Sequence, residues 1–71
     1  MISNDRELQI TSERIAHMQK QVAVLRRNET NPANYRLSAS GYLAEIDRMN
    51  LEVREYLLFH PQESFGVVEM I

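Results

Sequence analysis

The side chains most able to do chemistry in this sequence are few and scattered. Glu13 and His17 stand four residues apart, so a helix would place both on one face, as a metal ion or an acid–base pair requires. The only other histidine, His60, lies far along the chain. A metal site needs further ligands within reach, so we interpret Glu13 and His17 as a surface or interface pair and expect no bound metal.

A group of carboxylates in the second half of the chain resembles the paired acids of some active sites. Its members are Glu45, Asp47, Glu52 and Glu55. Arg48 and Arg54 lie between them, and Arg48 stands four residues before Glu52, the spacing of an ion pair along a helix. This pattern predicts a solvent-exposed face with salt bridges.

Other catalytic constellations are missing from the sequence. There is no cysteine to act as a nucleophile or thiolate ligand, and the serines have no nearby base or glycine-rich turn. The two glycines, Gly41 and Gly66, are too far apart to form a phosphate-binding loop. We therefore predict that the protein is not an enzyme and uses no cofactor.

Basic residues are concentrated in the first half of the chain. Residues 1–36 hold six basic and four acidic side chains, and residues 37–71 hold two basic and six acidic ones. Arg26 and Arg27 border a predicted turn and are possible nucleic-acid contacts. They are too few for a recognition surface, and the net charge of −2 argues against direct nucleic-acid binding. A small DNA-associated regulator that uses this turn is the alternative function, and a ligand-binding bundle lined by tyrosines is a third.

The elements that position these residues are two predicted helices. At 71 residues the chain forms one small domain with a thin core, and no apolar run approaches the length of a membrane span. With no visible signal peptide, we expect a cytoplasmic protein without a membrane partner. Turn-forming residues at 28–32 and the His60-Pro61 step interrupt the helical pattern. They predict helices at about 5–27 and 32–59, a helical hairpin over residues 1–61 and a C-terminal tail at 62–71.

Each predicted helix carries an apolar seam with heptad spacing. The first consists of Leu8, Thr11, Ile15, Met18, Val22 and Leu25, and the second of Tyr35, Ala39, Tyr42, Ile46, Met49, Val53 and Tyr56. Leu43 and Leu57 are expected to widen the second seam. Thr11 is the weakest member and is alternatively the N-cap of a shorter helix, whereas Asn4 and Glu7 resemble a capping box and favour an earlier start.

Each helix also carries a second stripe that repeats every seven residues. The stripes consist of Leu37, Ala44, Leu51 and Leu58 on the second helix and of Ile10, His17 and Val24 on the first. A two-helix hairpin buries one stripe per helix, so the second stripes predict an interface with another chain. We therefore predict an all-α fold: a two-helix antiparallel hairpin that self-associates, as a dimer or tetramer, into a helical bundle. Isolated surface leucines, which are common, are the alternative interpretation.

The order of motifs resembles a helical region found in bacterial proteins associated with toxin–antitoxin loci. Residues 2–11, Ile-Ser-Asn-Asp-Arg-Glu-Leu-Gln-Ile-Thr, are similar to the opening of that region. Leu43, Ile46, Val53 and the acid–tyrosine pair Glu55-Tyr56 resemble its second helix. The resemblance covers about residues 2–58.

In that family the hairpin commonly precedes the helix-turn-helix domain of a transcriptional regulator or antitoxin. This chain ends at Ile71 without one, so the resemblance implies that DNA binding is absent or supplied by another chain. The expected function is a non-enzymatic interaction and oligomerisation module, accessory to a bacterial toxin–antitoxin or transcriptional regulatory system. A regulator or toxin protein is the expected partner, and residues 65–71 are expected to dock on it.

Overall fold

A computed structural model describes residues 1–60 of the chain, and the predicted tail at 62–71 lies outside these residues. The described part is all-helical and contains no strand. It consists of α1 (Asp5–Asn28) and α2 (Pro32–Leu58), which pack against each other along their length. The Cα atoms extend over 52 × 22 × 13 Å, so the two helices form a single layer.

Helix α1 begins at a side-chain cap. The Asn4 side chain accepts a hydrogen bond from the Glu7 backbone N–H at 2.8 Å, which satisfies one of the free amides of the first turn. The Glu7 carboxylate accepts bonds from the hydroxyl and the backbone N–H of Ser3 at 2.7 and 2.8 Å. These bonds, the hydroxyl first, lower the pKa of Glu7. Because α1 continues without a break past Thr11, the alternative in which Thr11 caps a shorter helix is wrong.

The two helices are joined by residues 29–31 only. The Glu29 N–H donates to the Leu25 carbonyl at 2.9 Å and closes the end of α1. The Asn31 side chain then accepts from the backbone N–H groups of Ala33 and Asn34 at 2.9 and 3.2 Å. Pro32 follows at the first helical position, where its missing N–H costs nothing. The connection is therefore capped on both sides.

The core lies where the two seams meet. Ile15, Ile46 and Met49 form a buried cluster, and three partly buried residues of the same seams pack against it: Met18, Val22 and Val53. For these six residues the predicted seam is confirmed. The buried apolar side chains of the described chain are Ile2, Ile15, Ala39, Ile46 and Met49. This core is small even for a domain of this size.

A hydrogen bond joins the far ends of the helices. The Tyr56 hydroxyl donates to Asp5 Oδ1 at 2.6 Å, so the start of α1 lies beside the end of α2. The bond to Asp5 is the main reason why the pKa of Tyr56 is raised. Neither α1 nor α2 is both long enough and apolar enough to cross a membrane.

Candidate interaction surface

The second stripe of α2 is exposed throughout. Leu37 keeps 80% of its surface exposed, Leu58 64% and Leu51 50%, and Ala44 is exposed as well. The opposite side of the same helix holds Ala39, Ile46 and Met49 in the core. Helix α2 is therefore apolar on both sides, and α1 covers only one of them.

Two further leucines of α2 are exposed, contrary to expectation. Leu43 and Leu57 were expected to widen the buried seam, yet they are 46% and 62% exposed. Within residues 1–60 the two helices form a single layer, and no third element of this part covers the flank of the seam. We refer to the exposed apolar residues of this helix as the outer surface of α2; they are Leu37, Leu43, Ala44, Leu51, Leu57 and Leu58.

The second stripe of α1 is less exposed than that of α2. Ile10 is 44% and Val24 40% exposed, and His17 lies between them on the surface. Ile10 also lines a groove with Met1 and Ile2, the residues that precede the helix. The apolar surface open to a partner is therefore concentrated on α2.

Glu13 and His17 do not form the expected pair. The Glu13 carboxylate accepts a hydrogen bond from the Gln9 side-chain amide at 3.4 Å. His17 Nε2 lies 3.2 Å from Nε2 of Gln21. Gln9 stands four residues before Glu13, and Gln21 stands four residues after His17. Their side-chain amides therefore compete with the expected pairing for the Glu13 carboxylate and the His17 ring. Within residues 1–60 no three potential metal ligands converge on one point.

Of the predicted salt-bridged face near the centre of α2, Glu45 and Glu52 pair with Arg48, whereas Asp47, Arg54 and Glu55 form no salt bridge within residues 1–60. Arg48 donates to Glu52 at 2.7 Å through one terminal nitrogen, and its Nε donates to Glu45 at 3.1 Å. The hydrogen bond from Arg48 to Glu45 is the main reason why the pKa of Glu45 lies below its ordinary value. The amino group of Met1 lies 3.9 Å from Glu52. The predicted pairing of Arg48 with Glu52 is confirmed.

A groove lies beside this salt-bridged face. It is open and lined by charged and apolar residues from both helices and from the first two residues of the chain, among them Ile2, Ile10, Arg14 and Met49. No tyrosine lines it, so it is not the tyrosine-lined pocket considered above. Sequence reasoning missed the burial of Ile2, which is only 7% exposed and stands two residues before the cap Asn4, one position away from that of a hydrophobic staple.

Arg26 and Arg27 are exposed in the last turn of α1. Neither forms a salt bridge or side-chain hydrogen bond with the rest of residues 1–60. Their positive charge complements the helix dipole at this end, which accounts for their position without a ligand.

Comparison with protein-family models, with curated proteins and with solved structures found no match to this chain. The resemblance to the helical region of toxin–antitoxin-associated proteins therefore stays a prediction that rests on the motifs alone.

Proposed function

We propose that the protein is a non-enzymatic module for protein–protein interaction and oligomerisation. In this proposal the two helices form an antiparallel hairpin, and copies of it associate as a dimer or tetramer into a helical bundle. The supporting observation is the outer surface of α2, where Leu37, Leu51 and Leu58 keep half or more of their surface in water. Large exposed apolar surfaces on small proteins mark interaction sites.

The energetics of the thin core favour association as well. The described chain buries five apolar side chains, and a domain of this size is marginally stable without disulfides, a metal or oligomerisation. The sequence has no cysteine. Burying the outer surface of α2 against another chain would add apolar burial at roughly 25 cal/mol per Å² before the costs of association.

Sedimentation equilibrium over a wide concentration range tests this proposal, with helicity followed by circular dichroism. We expect a dimer or tetramer that dissociates on dilution with a parallel loss of helicity. Leu51→Glu should shift the protein toward monomer because it places a charge in the apolar contact. Gln19→Glu, at an exposed position of α1, is the matched control and should not. A protein that is monomeric at every concentration would contradict the proposal.

We also propose that the module works in the bacterial cytoplasm beside a transcriptional regulator or toxin. Support comes from the resemblance of residues 2–11 and of the second helix to proteins associated with toxin–antitoxin loci. The test is co-purification with the regulator or toxin encoded next to it. Loss of the complex on Leu58→Glu, with an exposed control such as Ser12→Glu intact, would assign the outer surface of α2 to that partner.

A second candidate function is direct nucleic-acid binding at the connection between the helices. It is favoured by the exposure of Arg26 and Arg27 and by their lack of a salt bridge within the described chain. Binding to a DNA duplex should then weaken steeply with added salt, and alanine at both positions should reduce the salt dependence. Unchanged binding by that double variant would exclude this role.

A further inference from the structure

The charges along the outer surface of α2 select one arrangement of a second copy. Asp47 and Arg54 are exposed and lie seven residues apart on this surface, between its leucines. Neither takes part in a salt bridge or side-chain hydrogen bond within residues 1–60. Seven residues of helix rise about 10.5 Å, so the two side chains lie too far apart along α2 to pair with each other.

A second copy of α2 running in the opposite direction brings both charges to a partner. When the twofold axis passes between Asn50 and Leu51, Asp47 of each copy stands level with Arg54 of the other. The same rotation relates the two sites, so one geometry forms two identical ion pairs. A parallel second copy would instead bring Asp47 level with Asp47 and Arg54 level with Arg54, and like charges oppose association.

The leucines fit the same arrangement. Residues that stand level across this axis have numbers that add up to 101, so Leu43 meets Leu58 of the second copy. Leu51 lies beside the axis, next to Leu51 of the second copy. Leu43, Leu51 and Leu58 are each 46% or more exposed, and this contact would cover them. The arrangement that pairs opposite charges therefore also brings apolar residues of the two copies together.

The outward side of α1 offers less exposed apolar surface than α2, with Ile10 at 44% and Val24 at 40% exposed. Beside them runs a line of exposed charged residues at seven-residue spacing, of which three are basic: Arg6, Glu13, Lys20 and Arg27. When two antiparallel copies of this line bring Glu13 level with Lys20, Arg6 stands level with Arg27, and these positive charges repel. The larger exposed apolar surface therefore directs association to α2, not α1.

We propose that two copies of the chain pack α2 against α2 in antiparallel orientation, with reciprocal Asp47–Arg54 pairs on either side of a twofold axis near Leu51. This inference rests on the proposed function, since it specifies how the self-association is built.

Charge reversal tests this arrangement with the full chain. Asp47→Lys puts two positive charges at each pair, and Arg54→Glu puts two negative charges there. We expect each variant alone to associate at least about tenfold more weakly than the unchanged protein in sedimentation equilibrium. An equimolar mixture of the two variants should form a heterodimer, because every pair in it is again oppositely charged. The double variant, with both substitutions in one chain, should recover the homodimer.

Two variants of α1 provide the matched control. Glu13→Lys and Lys20→Glu make the same changes at the same spacing and at exposed positions, and they should leave association unchanged. Circular dichroism on each variant verifies that the helices persist.

The outcomes separate this inference from the proposed function. If the unchanged protein dimerises but both single variants of α2 dimerise equally well, the arrangement is wrong and the proposed self-association stands. The same holds if the mixture fails to form a heterodimer, or if the α1 variants weaken association instead. A monomer at every concentration would overturn both.

Discussion

Met49 is the residue on which the stability of the helix pair depends most directly. It is 2% exposed, the largest side chain that is fully buried, and it packs in the cluster with Ile15 and Ile46. Met49→Ala removes the apolar side chain beyond Cβ. Losing its burial costs about 1.5–3 kcal/mol, and the residual cavity brings large-to-small core substitutions to about 2–5 kcal/mol. Because two helices in a single layer can move together to close part of the cavity, we expect about 2–3 kcal/mol.

That loss is large compared with the total stability of the protein. A domain of 71 residues is stabilised by about 4–10 kcal/mol at ordinary values per residue. The assay is urea unfolding followed by far-UV circular dichroism at several protein concentrations, because association adds apparent stability by mass action. Met49→Leu, which keeps the apolar volume, is the control and should cost less than about 1.5 kcal/mol. A cost below about 1 kcal/mol for Met49→Ala would refute the core described above.

Three further predictions concern the helices and their ends. Gly41→Ala should stabilise α2 by about 0.5–1 kcal/mol in urea unfolding, since an added Cβ meets no atom within 4 Å; destabilisation would show that the position needs glycine. Asn31→Ala should cost about 1 kcal/mol in the same assay by removing the cap of α2, whereas Asn31→Asp should keep most of it. The pKa of Tyr56 is raised above 10.0, so its bond to Asp5 stabilises the fold below pH 10 and is lost as the pH rises through the raised value. Tyr56→Phe should remove this alkaline loss from unfolding free energies measured against pH, and an unchanged profile would contradict it.

The parts of the fold that depend on local chemistry could be predicted from the sequence. Heptad spacing placed Ile15, Ile46 and Met49 at the contact between the helices, where the structure buries them. Asn31 followed by Pro32 indicated the start of α2, and the Asn31 side chain caps that helix. Residue spacing and the hydrogen-bonding groups of single side chains determine these features. Both can be read directly from the sequence.

Features that depend on competition between neighbours could not be predicted in the same way. Glu13 and His17 stand four residues apart, as a helix pair requires, yet each also has a glutamine four residues away. The spacing alone does not show which of these partners forms the hydrogen bond. Leu43 and Leu57 stand beside the seam, where burial depends on whether a third element covers the flank. Whether such an element is present depends on the tertiary arrangement, which spacing along one helix does not specify.

The three-residue connection between α1 and α2 has a consequence for folding rate. Contacts next to residues 29–31 join residues that are close in the sequence, and the bond between Tyr56 and Asp5 lies at the far end of the pair. Helical proteins dominated by such contacts fold in about microseconds to milliseconds. Two proteins at about 1 µM meet productively only about 0.1–10 times per second. The helix pair therefore closes in far less time than passes between two encounters, and protein concentration determines how much of the assembly exists without affecting how fast each pair forms.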